Sequence, residues 1–358
     1  MDYKGRLERL RQAMGRHKLN AFLITHLPNI HYLCGFTGSS GTVLVTDKGS
    51  VFFTDGRYDE QAHAQVQASK VKIVRKSALL AAAQWLRAAR LRRIGIEAAH
   101  LTVAERTGVA TSLGGQLRLV DAPPIVEELR EVKDPEEIAR VRAACRLGVG
   151  LFHRLKAVLR PGIPEAEVAA TLEFAARKRG VEQMAFPTIV AGGKRSALPH
   201  GRASLAAIPS RGFVVCDFGV ILAGYCSDMT RTVHVGPPSA KARRVYNAVR
   251  EAQQAALESV RPGITAHEVD GAARNILKKR GFGSYFTHST GHGVGLEIHE
   301  TPRLAVGQKK ILQAGMVVTI EPGVYLPGDL GVRIEDTVVV TEQACEILTL
   351  SPKDLITL

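Results

Sequence analysis

The sequence predicts a two-domain α+β protein, with a smaller α/β domain over residues 1–122 and a larger, internally duplicated domain over residues 123–358. Three observations carry this. Strand and helix patterns alternate through the first domain. A 21-residue stretch recurs 101 residues further on. Four carboxylates follow the two copies of that stretch at similar distances.

In the first domain, residues 3–17 set Leu7, Leu10 and Met14 among Lys and Arg, the pattern of an amphipathic helix that ends before Asn20. Residues 21–25 read as a buried strand. The glycine-rich stretch from Asn29 to Gly41 reads as a structural turn, because its spacing fits no phosphate-binding loop. Residues 41–47 and 51–54 form a hairpin across Lys48-Gly-Ser50, and Asp55-Gly-Arg-Tyr58 leads into a helix. Strands at 71–74, 94–97 and 117–120 then alternate with helices at 78–89 and 102–112. Ala122-Pro-Pro124 and the helix-opening Asp134-Pro-Glu-Glu137 bracket the domain boundary. Asp134 caps a long helix running to about Leu159, Pro135 suits its first position, and Glu137 completes the capping box.

The repeat pairs residues 160–180 with 261–281. Both copies begin Arg-Pro-Gly-Ile, and nine of 21 aligned positions are identical. Asp217 and Asp228 lie 57 and 68 residues after the start of the first copy; Glu321 and Glu335 lie 60 and 74 after the second. Self-similarity at one offset means two copies of one structural unit. Each half then contributes two strands with a carboxylate on each, and a pseudo-twofold pairing brings the four together. An ionised carboxylate among apolar strand residues is costly unless something offsets its charge. Asp217 alone would suit a strand end, and Asp228 alone could pair with Arg231. With His292, in Thr290-Gly-His-Gly-Val-Gly295, the four acids instead make a hard, oxygen-rich set suited to Mn²⁺ or a similar divalent ion, two of them. By the strand period of two, Arg333 and Glu335 face one way and Asp336 the other, outward or into a supporting bond. Cys226 falls on the side of Asp228 and is read as packing.

The remaining histidines divide. His288 and His292 are four apart, as in a helical zinc pair, but the glycines around them exclude a helix. His288, His299 and His200 suit either loop hydrogen bonds or a place beside a substrate. His200 and His299 lie 40 and 38 residues into their copies. His17, His26, His31, His63, His100, His153, His234 and His267 read as structural or solvated.

Bulk properties narrow the class. The net charge of +14 divides as +8 up to Arg130 (19 Lys/Arg against 11 Asp/Glu) and +6 beyond (29 against 23), so no basic tail exists and no nucleic-acid partner is expected. Five well-separated cysteines suit free thiols in a reducing compartment. The charged first residues carry no leader-like apolar core, no apolar run is long enough to span a bilayer, and the cytoplasm is the expected location, with no membrane partner.

These residues closely resemble the pita-bread metallopeptidases, the family of aminopeptidase P, prolidase and methionine aminopeptidase. The resemblance spans about residues 127–350. Asn29-Ile-His-Tyr-Leu33 and Phe53-Thr-Asp-Gly-Arg-Tyr58 look like the creatinase-type N-terminal domain of the Xaa-Pro branch. The resemblance implies a C-terminal pita-bread (creatinase/aminopeptidase) fold, a homodimer in which residues 55–58 reach the neighbour's pocket, and proline-containing peptides as substrates. It also implies that Asp217, Asp228, His292, Glu321 and Glu335 hold two metal ions, Mn²⁺ first and Co²⁺ or Zn²⁺ otherwise. Asp228 and Glu335 would bridge the ions, Asp217 would complete one site, and His292 with Glu321 the other. His200, His288, His299, Tyr325 and Arg333 match substrate-side or supporting positions.

The implied reaction is that of an Xaa-Pro peptidase of the aminopeptidase P type. A metal-bridging hydroxide attacks the carbonyl ahead of proline, and Glu321 shuttles the proton toward the proline nitrogen. His288 stabilises the oxyanion, His299 and His200 orient the residues around proline, and Arg333 supports the set. A strict Xaa-Pro dipeptidase (prolidase) is the first alternative. A non-enzymatic pita-bread binding protein and a metal-free creatinase-like hydrolase are remoter, because the ligand set is complete.

Overall fold

The computed structural model describes residues 1–89, 91–114 and 117–358, which divide into two compact units, Met1–Arg130 and Glu131–Leu358. In the first unit the elements run α1 (Tyr3–Arg16), β1 (Ala21–Ile24), α2 (Leu27–Cys34), β2 (Thr42–Thr46), β3 (Gly49–Asp55), α3 (Asp59–Gln65), β4 (Lys70–Val74), α4 (Ala78–Ala89), β5 (Arg93–Glu97), α5 (Val103–Leu113), β6 (Arg118–Ala122) and α6 (Ile125–Arg130). The strands form one sheet in the order β4-β3-β2-β1-β5-β6. β2 is antiparallel to both neighbours, while β4, β5 and β6 join in parallel. All four residues of β1 are buried, as a central strand covered on both faces requires. On one face Leu23, Leu44 and Ile96 pack with Leu79 and Leu86 of α4 and Val109 of α5. Leu7, Leu10 and Met14 form the buried stripe of α1.

Two expectations need correction here. The stretch from Asn29 is not all turn: α2 occupies it as far as Cys34. Pro28 sits in its first turn, and Gly35, at φ 82°, takes the left-handed position that ends it. The units also divide after Arg130, within the bracketed stretch but past the limit at 122, because the Pro-Pro pair only turns the chain from β6 into α6. Ile125 and Val126 are buried in the first unit, and Arg130 donates to Asn29 Oδ1 at 2.7 Å.

The second unit holds the duplication. The first copy runs α7 (Pro135–Val158), α8 (Glu165–Arg177), β7 (Gln183–Met184), β8 (Ile189–Gly192), β9 (Gly212–Phe218), β10 (Val220–Leu222), β11 (Tyr225–Cys226) and β12 (Met229–Val235). The second runs α9 (Ala240–Ser259), α10 (Ala266–Lys279), β13 (Gly291–Gly293), β14 (Glu300–Leu304), β15 (Val317–Ile320), β16 (Gly323–Leu326), β17 (Leu330–Arg333), β18 (Asp336–Val340) and β19 (Cys345–Ile347). The capping box at α7 forms as its sequence predicts, Glu137 N to Asp134 Oδ1 at 2.9 Å and Asp134 N to Glu137 Oε2 at 3.0 Å.

Each copy is a helix pair followed by an antiparallel sheet of matching order, β12-β9-β8 in one and β18-β15-β13 within the other. The start of the second helix is stitched to the chain after it in the same way twice. Glu165 N donates to Ala206 O and Ile208 N to Ile163 O; Ala266 N donates to Lys310 O and Leu312 N to Ile264 O. No cysteine is bonded to another: Cys34, Cys145, Cys216 and Cys226 are buried and Cys345 is half-buried. Burial pushes the Cys34 and Cys145 thiols up to about 12. Among the described residues no helix is long and apolar enough to cross a membrane.

Candidate metal centre

Both copies place their acids at the same end of the sheet. Asp217 sits near the end of β9, and Glu321 directly follows β15. Asp228 directly precedes β12, and Glu335 directly precedes β18. His292 is the middle residue of β13, whereas the corresponding edge strand of the first copy, Ile189–Gly192, carries no histidine. The two copies meet here: Glu335 N donates to Thr230 O at 3.1 Å, and Thr337 Oγ1 to Asp228 O at 2.7 Å.

The side chains converge. His292 Nε2 lies 3.6 Å from Asp228 Oδ2 and 3.5 Å from Glu321 Oε1, and ligand atoms of Asp228, His292 and Glu335 fall within 4.8 Å of one another. His292 Nδ1 is 3.0 Å from the Gly293 carbonyl, which must accept, so the proton is on Nδ1 and the Nε2 lone pair faces the acids. Asp217 Oδ1, Asp228 Oδ1 and Glu335 Oε1 are buried acceptors without a hydrogen-bond partner. Orphaned carboxylate oxygens beside an imidazole lone pair fit a hard divalent cation.

Among the described residues, Arg333 is the cation that bonds directly to one of these acids. It pairs with Asp217 Oδ2 and donates to Tyr325 Oη at 2.6 Å and Thr230 Oγ1 at 3.2 Å. One guanidinium cannot offset four carboxylates. Burial, then Glu335, Asp217 and Glu321, drive the Asp228 carboxyl well above its usual range, and burial, then Glu321 and Asp217, do the same to Glu335. Glu321 is pushed up to about 8, by burial first and Asp217 next. Burial pushes His292 and His288 down to about 4 and lowers His299 as well.

The substrate-side residues share a cavity of about 700 Å³ with the acids, where His200, His288, His299 and Arg333 form part of the wall. His299 stacks edge-on to His292, ring centres 4.4 Å apart. His288 is bonded through both ring nitrogens. Its Nδ1 is 2.9 Å from the Ser289 carbonyl and its Nε2 2.9 Å from Tyr325 Oη. The carbonyl can only accept, and Tyr325 Oη already accepts from Arg333. With the ring proton on Nδ1, the Tyr325 hydroxyl donates to His288 Nε2, and that nitrogen is an acceptor with no proton to offer.

Asp336 and Arg231 each take one of the places the sequence left open. Asp336 is fully buried and, of outward or a supporting bond, takes the supporting bonds, held by Arg231 Nη2 at 2.7 Å, Lys353 Nζ and Gln253 Nε2 at 2.8 Å, and Thr349 Oγ1 at 2.9 Å. Burial alone would raise its carboxyl, yet Arg231 and Lys353 hold it below the usual range. Arg231 is thus engaged away from Asp228. Cys226 is buried, its Sγ 3.9 Å from the Leu296 carbonyl.

Sequence reasoning passed over several contributors. Thr230 Oγ1 donates to Glu335 Oε2 at 2.7 Å, and Thr319 Oγ1 accepts from His292 N at 3.0 Å while reaching Glu321 Oε1 at 3.4 Å. Both threonines lie two residues from an acid, the strand spacing that could have found them. Arg202, Arg303, Phe186 and Ile189 also line the cavity, and no comparable signal marks them.

Comparison with known proteins agrees along the whole length. Residues 139–342 match the model of metallopeptidase family M24, and residues 6–132 that of the creatinase/prolidase N-terminal domain. The uncharacterized peptidase YqhT of Bacillus subtilis (strain 168) is 40% identical over 353 residues, covering 99% of this chain and 100% of its own. The solved Xaa-Pro dipeptidase from Bacillus anthracis has a TM-score of 0.97 at 39% identity over 100% of both chains. The X-Pro aminopeptidase from Thermotoga maritima MSB8 gives 0.91 at 35% identity, over 99% of this chain and 100% of that one. A duplicated acid centre, a family model matching over half the sequence and relatives alike from end to end place this chain in metallopeptidase family M24, with a creatinase/prolidase-type N-terminal domain.

Proposed function

We propose that this metallopeptidase is a two-metal Xaa-Pro peptidase, cleaving the bond between an N-terminal residue and a following proline. The observation that carries the reading is the set of orphaned oxygens on Asp217, Asp228 and Glu335 facing the unprotonated Nε2 of His292. These four residues and Glu321 would hold two divalent ions, Mn²⁺ first and Co²⁺ or Zn²⁺ otherwise. Bound there, such ions supply Lewis acidity, which polarises a carbonyl and brings the pKa of water down to about 7. The Xaa-Pro substrates named for the B. anthracis and T. maritima proteins support the specificity.

The chain's own residues do the rest. Glu321, half-buried at the centre, carries a proton at a carboxylate oxygen from the attacking water toward the departing proline nitrogen. His200 and His299 orient the substrate from the cavity wall, where Phe186 and Ile189 offer apolar surface to a proline ring. Arg333 fixes Asp217 and Tyr325, and His288, as an acceptor, holds the Tyr325 hydroxyl in place. His288 could act as a donor only after giving up that contact.

The test is a panel of Xaa-Pro dipeptides, Xaa-Pro-Zaa tripeptides and Xaa-Ala controls, run on chelator-dialysed protein with and without Mn²⁺. Proline-dependent cleavage restored by metal is expected. Cleavage of neither proline series would end the proposal. A restriction to dipeptides is the second reading, favoured by Arg202 and Arg303 on the cavity wall, since a guanidinium there suits the free carboxylate that only a dipeptide carries next to the scissile bond. A homodimer belongs to the same proposal, and light scattering that finds a clean monomer at micromolar concentration would refute it.

A further inference from the structure

Two buried carboxylates outside the metal centre perform the same task in the two copies, from different positions. Glu165, at the start of α8, is fully buried. It accepts from Gly192 N at 2.8 Å, Ser204 N at 3.1 Å, Ser204 Oγ at 2.7 Å and Arg195 Nε at 3.0 Å. Arg195 passes the hold onward, its Nη2 donating to the Arg202 carbonyl at 2.8 Å. Both ends of residues 192–204 are thereby tied to one side chain, and that loop presents His200 and Arg202 to the cavity.

In the second copy Asp270, on α10 and also fully buried, accepts from Thr290 N at 3.1 Å, Thr290 Oγ1 at 2.9 Å and Arg274 Nε at 2.8 Å. Arg274 Nη2 donates to the carbonyl of His288 itself at 2.9 Å, and Nη1 to that of Phe286 at 3.2 Å. This anchor fixes residues 286–290, which carry His288. The repeat aligns Glu165 with Ala266 and Asp270 with Ala169, so neither acid has an acidic counterpart in the other copy. The two carboxylate–arginine anchors therefore occupy non-equivalent positions of the repeat. What the anchors share is their object, a loop bearing a substrate-side histidine.

We infer that Glu165 and Asp270 are positioning residues, each anchoring through its arginine the loop that presents one substrate-side histidine, Glu165 for His200 and Asp270 for His288. The inference rests on the Xaa-Pro reading for what the histidines do. A buried ion pair usually contributes little net stability, because desolvating two charges offsets their attraction. Its value here is register: a loop held at both ends keeps its histidine within the small tolerance that a reacting substrate allows.

The experiment combines double-mutant cycles with hydrogen exchange on the Mn²⁺-loaded full chain, using Ala-Pro as substrate. Glu165→Gln should speed exchange in residues 192–204 and leave 286–290 unchanged, and Asp270→Asn should do the reverse. Each should lower kcat/KM by about 10–100-fold, the range for residues that act through another. In a His200→Ala background Glu165→Gln should have little further effect, while Asp270→Asn keeps its full effect; in a His288→Ala background the two exchange places. Losses that multiply in every background, or opening of both loops by either variant, would show a merely structural role and overturn the inference. If Glu165→Gln or Asp270→Asn does not fold, Arg195→Lys and Arg274→Lys enter the same cycles, since those side chains are about a third exposed. Should His200→Ala and His288→Ala retain full activity, the inference falls together with the substrate-side reading. Multiplying losses beside impaired histidine variants fault the anchors alone.

Discussion

Asp228 and Glu335 are held where ionisation is opposed by burial and by each other's neighbourhood, so their charge is tolerable only when a cation answers it. Linkage turns this into a sign. An acid whose folded-state pKa lies above its unfolded one stabilises the fold fully below the unfolded value and stops doing so as pH rises through the folded one. Glu321 spans the ordinary 4.5 to about 8, and Asp228 and Glu335 are raised as well. Metal-free protein should therefore lose stability from about pH 4.5 to about pH 8. Mn²⁺ should remove most of that loss, and melting curves in chelator and in Mn²⁺ across the range check both statements. Asp228→Asn should lower kcat/KM by about 10³-fold, near 4 kcal/mol of transition-state stabilisation, and abolish Mn²⁺ binding by calorimetry. The same variant should melt no lower than the parent when both are metal-free at about pH 8, because a repelling charge has gone.

Backbone approach sets the limits among the elements. A Cβ on Gly291 would fall 1.9 Å from the Thr319 carbonyl oxygen, so β13 can lie where it does against β15 only with glycine there. Gly291→Ala should cost about 1–3 kcal/mol, as overpacking does, and should weaken Mn²⁺ binding because His292 moves with its strand. Denaturant unfolding and a metal titration of one preparation would show both effects. The strands bearing the acids were legible in the sequence because a carboxylate between apolar residues is conspicuous and because Arg160 and Arg261 open matching copies. The surroundings of Asp336 were not: its burial depends on Gln253, Thr349 and Lys353, which no local period brings near. Nor was the acceptor state of His288, which follows from the meeting of Arg333 and Tyr325 in space. The helix over Leu27–Cys34 was open to reading from Pro28 and Gly35, but the glycines after it drew the whole stretch toward a turn.

At the scale of the whole molecule, the centre draws on both copies of the duplication, Asp217 and Asp228 from one and His292, Glu321 and Glu335 from the other. A cation held between them cross-links two halves that otherwise meet through hydrogen bonds such as Thr230 to Glu335. Mn²⁺ at about a hundred times its dissociation constant should add about 2.7 kcal/mol, raising the melting temperature by roughly 5–10 °C. Amides of β12 and β18 should gain protection together. Protection confined to one copy would mean that the ion is held by that half alone.

The sealed thiols give the folded chain a clock of its own. A maleimide dye needs thiolate and access, so it should tag Cys345 first and reach Cys34, Cys145, Cys216 and Cys226 only as often as the packing around them opens. Labelling followed peptide by peptide would time the breathing of each unit separately, Cys34 reporting on one and Cys145, Cys216 and Cys226 on the next, with no loss of the native sequence.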